Sequence, residues 1–504
     1  MTSADAPQRA PRTFLGHPLG LVTLFNTELW ERFSFYGMRA ILLYFVTDTA
    51  ANDGLGLDQA TGTALVAVYG SAVYLLSVLG GWMADRVIGA RRSVLYGGVV
   101  IASGHVFLAL PGHATAYVGI VLVALGTGLL KPNVSSMVGQ LYGQDDPRRD
   151  SAFSIFYMGI NIGALAAPIV VGAARAAGGY HAGFAVAAVG MAIALVFYVA
   201  GHRLLGSAGL EVPNRLTRAD GPAVVRLVGW VALGTALAAV AGWFALDSGS
   251  SGPVGLSVAI NALAYLAIGA PVATLVVMFR SPKVTAAERT RLRAYVPLFV
   301  AAVFFWMIAE QASSTLSAYA RDHTDLTLFG IGISPELFQS VGPAAIIALA
   351  PVFAWLWVRL GDRPPTAVKF AIGLAFAAVS FLFLALMSWL ADGGRTPAWV
   401  LVVVYLVQTL GELCLSPVGL AATTLLAPRA FRGQAMALWF LATAAGDAIT
   451  SQVIGAIPQA GPAQFFGWTG AAALVVAGAM ALLAPWVTRQ IRAGQDVVDA
   501  AGQG

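Results

Sequence analysis

Gly126-Thr127-Gly128-Leu129-Leu130-Lys131-Pro132 and, far downstream, Gly411-Glu412-Leu413-Cys414-Leu415-Ser416-Pro417 each lie inside a long apolar run. In both, a glycine precedes a proline by six residues, with one charged side chain between them. The surrounding runs, 114–141 and 396–426, exceed the ~20 apolar residues needed to cross a bilayer core of about 30 Å. Matching marks in two halves of a chain point to a duplicated helical bundle, with a binding site between the copies near the midplane.

The rest of the chain repeats this hydropathy. Spans are expected at 20–48, 58–80, 92–111, 114–141, 151–176, 181–205, 222–246, 253–279, 294–320, 334–360, 366–391, 396–426, 430–455 and 463–488. Of 504 residues, 58% are hydrophobic and 11% charged, with a mean hydropathy of +0.77. A soluble domain could not hide so much apolar surface, so lipid is the expected solvent. The net charge of +5 does not read as a nucleic-acid surface, because its cations sit in short turns between spans. Cys414 is the single cysteine, which excludes a disulfide framework. The polar stretch Met1 to Gly20, with Arg9 and Arg12, does not read as a cleavable signal.

Fourteen spans put both termini on one side. Of the 29 Lys and Arg, only Arg175, Arg321 and Arg395 fall in loops placed outside, and Arg32, Arg39 and Lys131 lie within spans. The others go to the termini and the inner loops, which predicts cytoplasmic N- and C-termini in a bacterial inner membrane. A fainter repeat supports the duplication: Gly81-Trp82-Met83-Ala84-Asp85-Arg86 after the second span, and Trp357 to Arg363 after the tenth. The expected fold class is all-α, a polytopic membrane protein of two six-helix bundles plus two extra helices. The predicted boundaries are 1–208, 209–290 (the inserted pair, which carries no charge at membrane depth) and 291–504.

Ionisable groups at membrane depth are costly and usually face a polar cavity where they act. The first span holds the densest set, Glu28-Leu29-Trp30-Glu31-Arg32-Phe33-Ser34-Phe35-Tyr36-Gly37-Met38-Arg39. Glu28, Glu31, Arg32, Phe35, Tyr36 and Arg39 recur at helical spacing and form one stripe. Two carboxylates one turn apart beside an arginine suit a proton site; a fixed salt bridge welding helices is the competing reading. Lys131 adds a cation to the first half, while Glu310 and Glu412 stand alone in the second. A cavity between them is a dipole suited to a zwitterion. Asp447 reads as a structural or helper residue. Trp306 and Trp439 are candidates for a side-chain pocket, although membrane tryptophans more often pack. Asp85 and Arg86 are expected to lock helix ends during a conformational cycle. No histidine has a metal-ligand spacing, and no cofactor or metal is expected.

At these residues the chain resembles the proton-dependent oligopeptide transporters of the major facilitator superfamily. Glu28 to Arg39 matches that family's ExxERFxYYGMR pattern, and Phe156-Tyr157-Met158-Gly159-Ile160-Asn161-Ile162-Gly163 matches FYxxINxG. The resemblance implies proton-coupled import of di- and tripeptides. It implies that Arg32 and Lys131 hold the peptide carboxylate, and that Glu412 with Asn161 holds its amino group. Tyr36, Phe35, Tyr74, Trp306, Ser416 and Trp439 would complete the site. Arg39 with Glu310 would gate one side and Lys131 with Glu412 the other, while Glu28, Glu31 and Glu310 would carry protons with Arg32. Two positions depart from the pattern: Phe35 replaces a tyrosine, and Gly342 stands where an asparagine is usual. Phe35, being on the stripe, is expected to face the cavity. The competing readings are a same-fold carrier of another organic anion or drug-like substrate, a membrane enzyme, and a channel.

Overall fold

A computed structural model describes residues 13, 14, 16–143, 146–246, 253–328, 330–361, 363–457 and 460–502. Met1 to Arg12 and Asp362, which entered the sequence reading, lie outside the described residues. Fourteen helices order as α1 (Leu19–Thr47), α2 (Gln59–Met83), α3 (Ala90–Ala109), α4 (His113–Gln140), α5 (Arg148–Ala200), α6 (Gly221–Phe244) and α7 (Val254–Arg280), then α8 (Ala286–Ala309), α9 (Thr315–His323), α10 (Val341–Leu360), α11 (Thr366–Leu390), α12 (Ala398–Leu426), α13 (Arg432–Ala456) and α14 (Pro462–Gly502).

α5 is two spans in one run, broken where Gly178 and Gly179 leave helical geometry, Gly179 at φ 77°. Conversely, the expected span at 294–320 is split. α8 ends at Ala309, Glu310–Ser313 form a 3₁₀ turn, and α9 follows. Among the described residues, twelve helices are long and apolar enough to cross a membrane by length and composition. α1 lies outside that set because Glu28, Glu31, Arg32 and Arg39 sit along it, and α5 counts there once though it crosses twice. The chain is thus an all-α, fourteen-span membrane protein.

Within the first bundle α1 packs along α5, and α3 along α4. The glycine of the opening motif explains the second contact. A Cβ at Gly126 would lie 2.6 Å from the Gly97 carbonyl oxygen, so α3 and α4 cross backbone to backbone there. The second bundle repeats the device: a Cβ at Gly411 would lie 2.6 Å from the Gly373 carbonyl oxygen, where α12 crosses α11. The duplicated sequence mark is therefore a duplicated crossing.

Between bundles the close seam is α2 against α13, pinned where Ser71 Oγ donates to the Ala444 carbonyl at 2.9 Å. α5 meets α10 and the 3₁₀ turn Pro335–Ser340, and Ser340 Oγ donates to the Leu165 carbonyl at 2.9 Å. These contacts gather toward the end of the molecule that bears loops 48–58 and 324–334. There Tyr44 OH donates to the Ser317 carbonyl, and Arg321 donates to Thr47 Oγ1 and Gln59 Oε1. Arg175 donates to both oxygens of fully buried Glu336, at 3.0 and 3.2 Å. Among the described residues, no comparable interface joins α4 to α12 at the opposite end. The molecule is closed at one end and parted at the other. α7 packs on α2 and α13 across the seam, and α6 packs on α7 with most of its surface turned outward.

Candidate functional site

The α1 stripe forms as expected, but its members face different surroundings. Glu28, Glu31 and Arg32 are almost fully buried. Arg32 Nε and Nη2 donate to the two Glu31 oxygens at 2.5 and 2.8 Å, and Nε lies 3.3 Å from Glu28 Oε1. Glu28 Oε2 is buried without a hydrogen-bond partner. Arg32 is therefore engaged by carboxylates of its own helix in this conformation, and only 1% of its surface is open to a ligand.

Phe35 departs from expectation. Its ring is 4% exposed, not turned to an open cavity. Arg32 lies over it at 4.9 Å and Arg39 at 5.7 Å from the ring centroid, with Tyr69 stacked at 6.4 Å and Tyr36 edge-on at 5.3 Å. Two guanidiniums attract the face of an aromatic ring, and that attraction holds Phe35 inside the protein. Helical spacing gave the correct face but not what covers it.

One turn on, Arg39 crosses to the second bundle and donates to Glu310 Oε2 at 2.8 Å. Tyr74 OH donates to Glu310 Oε1 at 3.0 Å, and Lys131 Nζ lies 3.9 Å from the Tyr74 ring centroid. The 3₁₀ turn after α8 is what presents Glu310 to α1 and α2. Lys131 forms no ion pair with Glu412 here, in keeping with the parted α4 and α12.

Lys131, Tyr74, Tyr36, Trp306, Glu310, Glu412 and Ser416 all keep partial exposure deep between the bundles. Tyr36 lies within electrostatic reach of Arg32, Arg39, Glu310 and Glu412, which puts it amid the charged groups. Trp306 stands edge-on to Phe305, with its Nε1 buried and unpartnered. Asn161 is buried and its amide donates to the Tyr157 carbonyl at 2.9 Å. Trp439 is 6% exposed and packs edge-on to Phe370 and tightly over Gly419, so it is mainly a core residue of the second bundle. Asp85 and Arg86 lie on a π-helical turn, Ala84–Ile88. Their backbone carbonyls tie down segment 214–216 by accepting from Asn214 and Leu216.

Sequence reading passed over Tyr157, 42% exposed and within electrostatic reach of Glu412. The signal was present, since Tyr157 belongs to the Phe156–Gly163 motif in which only Asn161 was assigned a role. It also gave Asp447 no more than a structural or helper role. That carboxyl is 3% exposed, and its Oδ2 has no hydrogen-bond partner. Among the described residues, no His, Cys, Asp and Glu cluster could hold a metal ion.

Comparison with known proteins places this geometry. The model of the POT family matches residues 91–467. An uncharacterised transporter of Bacillus subtilis is 46% identical over 97% of this chain and 97% of its own length. A di-/tripeptide transporter of Lactococcus lactis subsp. lactis is 43% identical, covering 93% of this chain and 95% of its own. Among solved structures, a variant of a peptide transporter POT in complex with alafosfalin has a TM-score of 0.86 at 48% identity, covering 95% of this chain and 97% of that one.

Proposed function

The chain belongs to the POT family, and on that premise we propose that it is a proton-coupled symporter importing di- and tripeptides by alternating access. The observation that carries this reading is the polarity of the space between the bundles. Lys131 lines it from the first half and Glu412 from the second, so a zwitterion laid across it meets a cation at one end and a carboxylate at the other. In this role Lys131 takes the peptide carboxylate, with Arg32 joining once Glu31 lets it go. Glu412 takes the amino group beside Tyr157 and Asn161, and Tyr36, Tyr74, Trp306 and Ser416 shape the walls.

The Arg39–Glu310 pair is the outer gate, and the parted α4 and α12 leave the inner side open, as after peptide release. Protons enter through Glu310 and the Glu28–Glu31–Arg32 cluster. The N- and C-termini are cytoplasmic, as the distribution of Lys and Arg supports. The two bundles, 1–208 and 291–504, rock about the site, with 209–290 as the inserted pair. The protein carries its substrate unchanged and catalyses no bond making.

Proteoliposomes with an inward proton gradient and labelled dialanine test the proposal. Accumulation that collapses with a protonophore is expected. Equal uptake with and without the gradient would sink the coupling. No uptake of dialanine beside brisk uptake of a simple organic anion would sink the peptide assignment.

A further inference from the structure

α13 approaches α2 so closely that a Cβ on Gly70 would lie 2.2 Å from Asp447 Oδ2. The same point lies 3.6 Å from Arg39 Nη2. Asp447 and Arg39 thus face one another across a bare glycine without closing an ion pair, while Arg39 Nη1 is held by Glu310 at 2.8 Å. Asp447 is 3% exposed, and its Oδ2 has no partner. The charged and titratable groups that face it are Arg39 from α1, Tyr74 from α2, Lys131 from α4 and Glu310 from the turn after α8.

Lys131 stands over the Tyr74 ring and acts on both carboxylates without pairing with either, whereas Arg39 pairs with Glu310 and lies beside Asp447. A buried carboxylate with neither proton nor cation is strongly disfavoured. We propose that Asp447 is a second proton-carrying carboxylate of the gate, which shares one proton with Glu310 while Arg39 pairs with whichever of the two is ionised. This rests on the proton-coupled reading above. In the closed gate Glu310 holds Arg39 and Asp447 holds the proton. A proton arriving at Glu310 frees Arg39 to turn through the gap over Gly70, and Asp447 gives up its proton as it takes the guanidinium. One proton enters and one leaves, and the cation never stands alone. Both carboxylates belong to the second bundle, so the exchange keeps the bundles tied while the proton moves. Gly70 is required because any side chain there would fill the path.

The test uses full-length protein in proteoliposomes and follows labelled dialanine uptake and exchange across external pH for wild type, Asp447→Asn, Glu310→Gln and the double variant. Without Asp447, Arg39 has only Glu310, which then accepts a proton less readily. The half-maximal pH of uptake by Asp447→Asn should move down by about one unit, the scale on which a nearby opposite charge acts. Glu310→Gln should keep a pH-dependent exchange rate, because Asp447 still titrates against Arg39, and the double variant should lose that dependence. A purely structural Asp447 would leave the midpoint where it is. An unshifted midpoint in Asp447→Asn overturns the proposal. So does a flat pH profile in Glu310→Gln, an arm that stands even if Asp447→Asn fails to fold. Failure of wild type itself to couple dialanine to protons would fall on the underlying reading instead.

Discussion

Arg175 and Glu336 tie the first bundle to the second through a bidentate contact whose two ends are unequally buried. Glu336 has no exposed surface, whereas the Arg175 side chain is 23% exposed. Removing the arginine strands a carboxylate in the dry interior, which costs about 3–5 kcal/mol when a buried pair is broken from one side. Removing the carboxylate charge by Glu336→Gln leaves an amide oxygen that still accepts from Arg175, and the guanidinium can turn to water. The loss is then nearer ~1–1.5 kcal/mol, about that of one hydrogen bond. These penalties fall on the closed end, the outer one in the proposed orientation, because opening hydrates both groups. Arg175→Met should therefore raise the outward-open population roughly thirtyfold more than Glu336→Gln, a difference of about 2 kcal/mol. Spin labels on cysteines introduced at the exposed loops of that end, at Asn52 and Arg395, would report it as a new long-distance peak in pulsed electron resonance. Cys414 is buried, which keeps the background low. The double variant should fall back to the Glu336→Gln level. Equal opening by the two single variants would refute the argument, since it would mean that burial at Glu336 does not set the strength of the latch.

Three further outcomes follow from the site. Lys131→Ala should abolish proton-driven dialanine uptake at normal membrane abundance, and wild-type rates would remove Lys131 from the site. Glu412→Gln should weaken dipeptides with a free amino terminus by roughly tenfold to a hundredfold, the value of a charge-assisted contact of about 1.5–3 kcal/mol. N-acetylated dipeptides should barely change, and an equal loss in competition binding would mark Glu412 as a gating residue. At the two departures from the family pattern the expected effects differ. Around Gly342 there is room, with Thr409 Oγ1 3.8 Å from a Cβ placed there, so Gly342→Asn should tighten dialanine binding by one hydrogen bond, about 0.5–1.5 kcal/mol. Phe35→Tyr adds a hydroxyl to a ring that is only 4% exposed and out of a ligand's reach, and should not tighten it; the reverse ranking by calorimetry would contradict the buried placement of Phe35.

The spans were readable because a bilayer imposes its thickness on composition, run by run. The paired glycines and prolines likewise survived into matched helix crossings. What composition and spacing did not supply was the identity of the neighbour; the Arg39–Glu310 pair came from the resemblance alone, and Tyr74 as its third member came from neither. The run at 294–320 looked like one helix, yet Glu310 sits on a 3₁₀ turn, where it meets Arg39 from α1 and Tyr74 from α2. Hydropathy is blind to that partnership. Phe35 was placed on the right stripe and given the wrong exposure, because the guanidiniums that cover it bend back from residues three and four positions away. Asp447 stayed ambiguous for the same reason: its meaning depends on Gly70, on a helix in the other bundle.

The backbone crossings at Gly126 and Gly411 act as fulcrums. Each is followed by a proline, Pro132 inside α4 and Pro417 inside α12, and beyond each proline an arm of helix runs on to Gln140 and Leu426, packed on its own bundle where Tyr198 meets Met137 and Tyr295 meets Thr423. At 1.5 Å per residue the shorter arm is ~12 Å long, and a proline hinge of about 20° swings its tip by ~4 Å. Two such arms turning apart widen the inner mouth by ~8 Å, more than the ~4.8 Å that separates neighbouring extended backbones. A passage for a peptide therefore needs no separation of the helix pairs themselves. Lys131 and Glu412 sit near the pivots, where leverage is least, so the two groups proposed to hold the peptide's ends move little while the doorway beyond them opens.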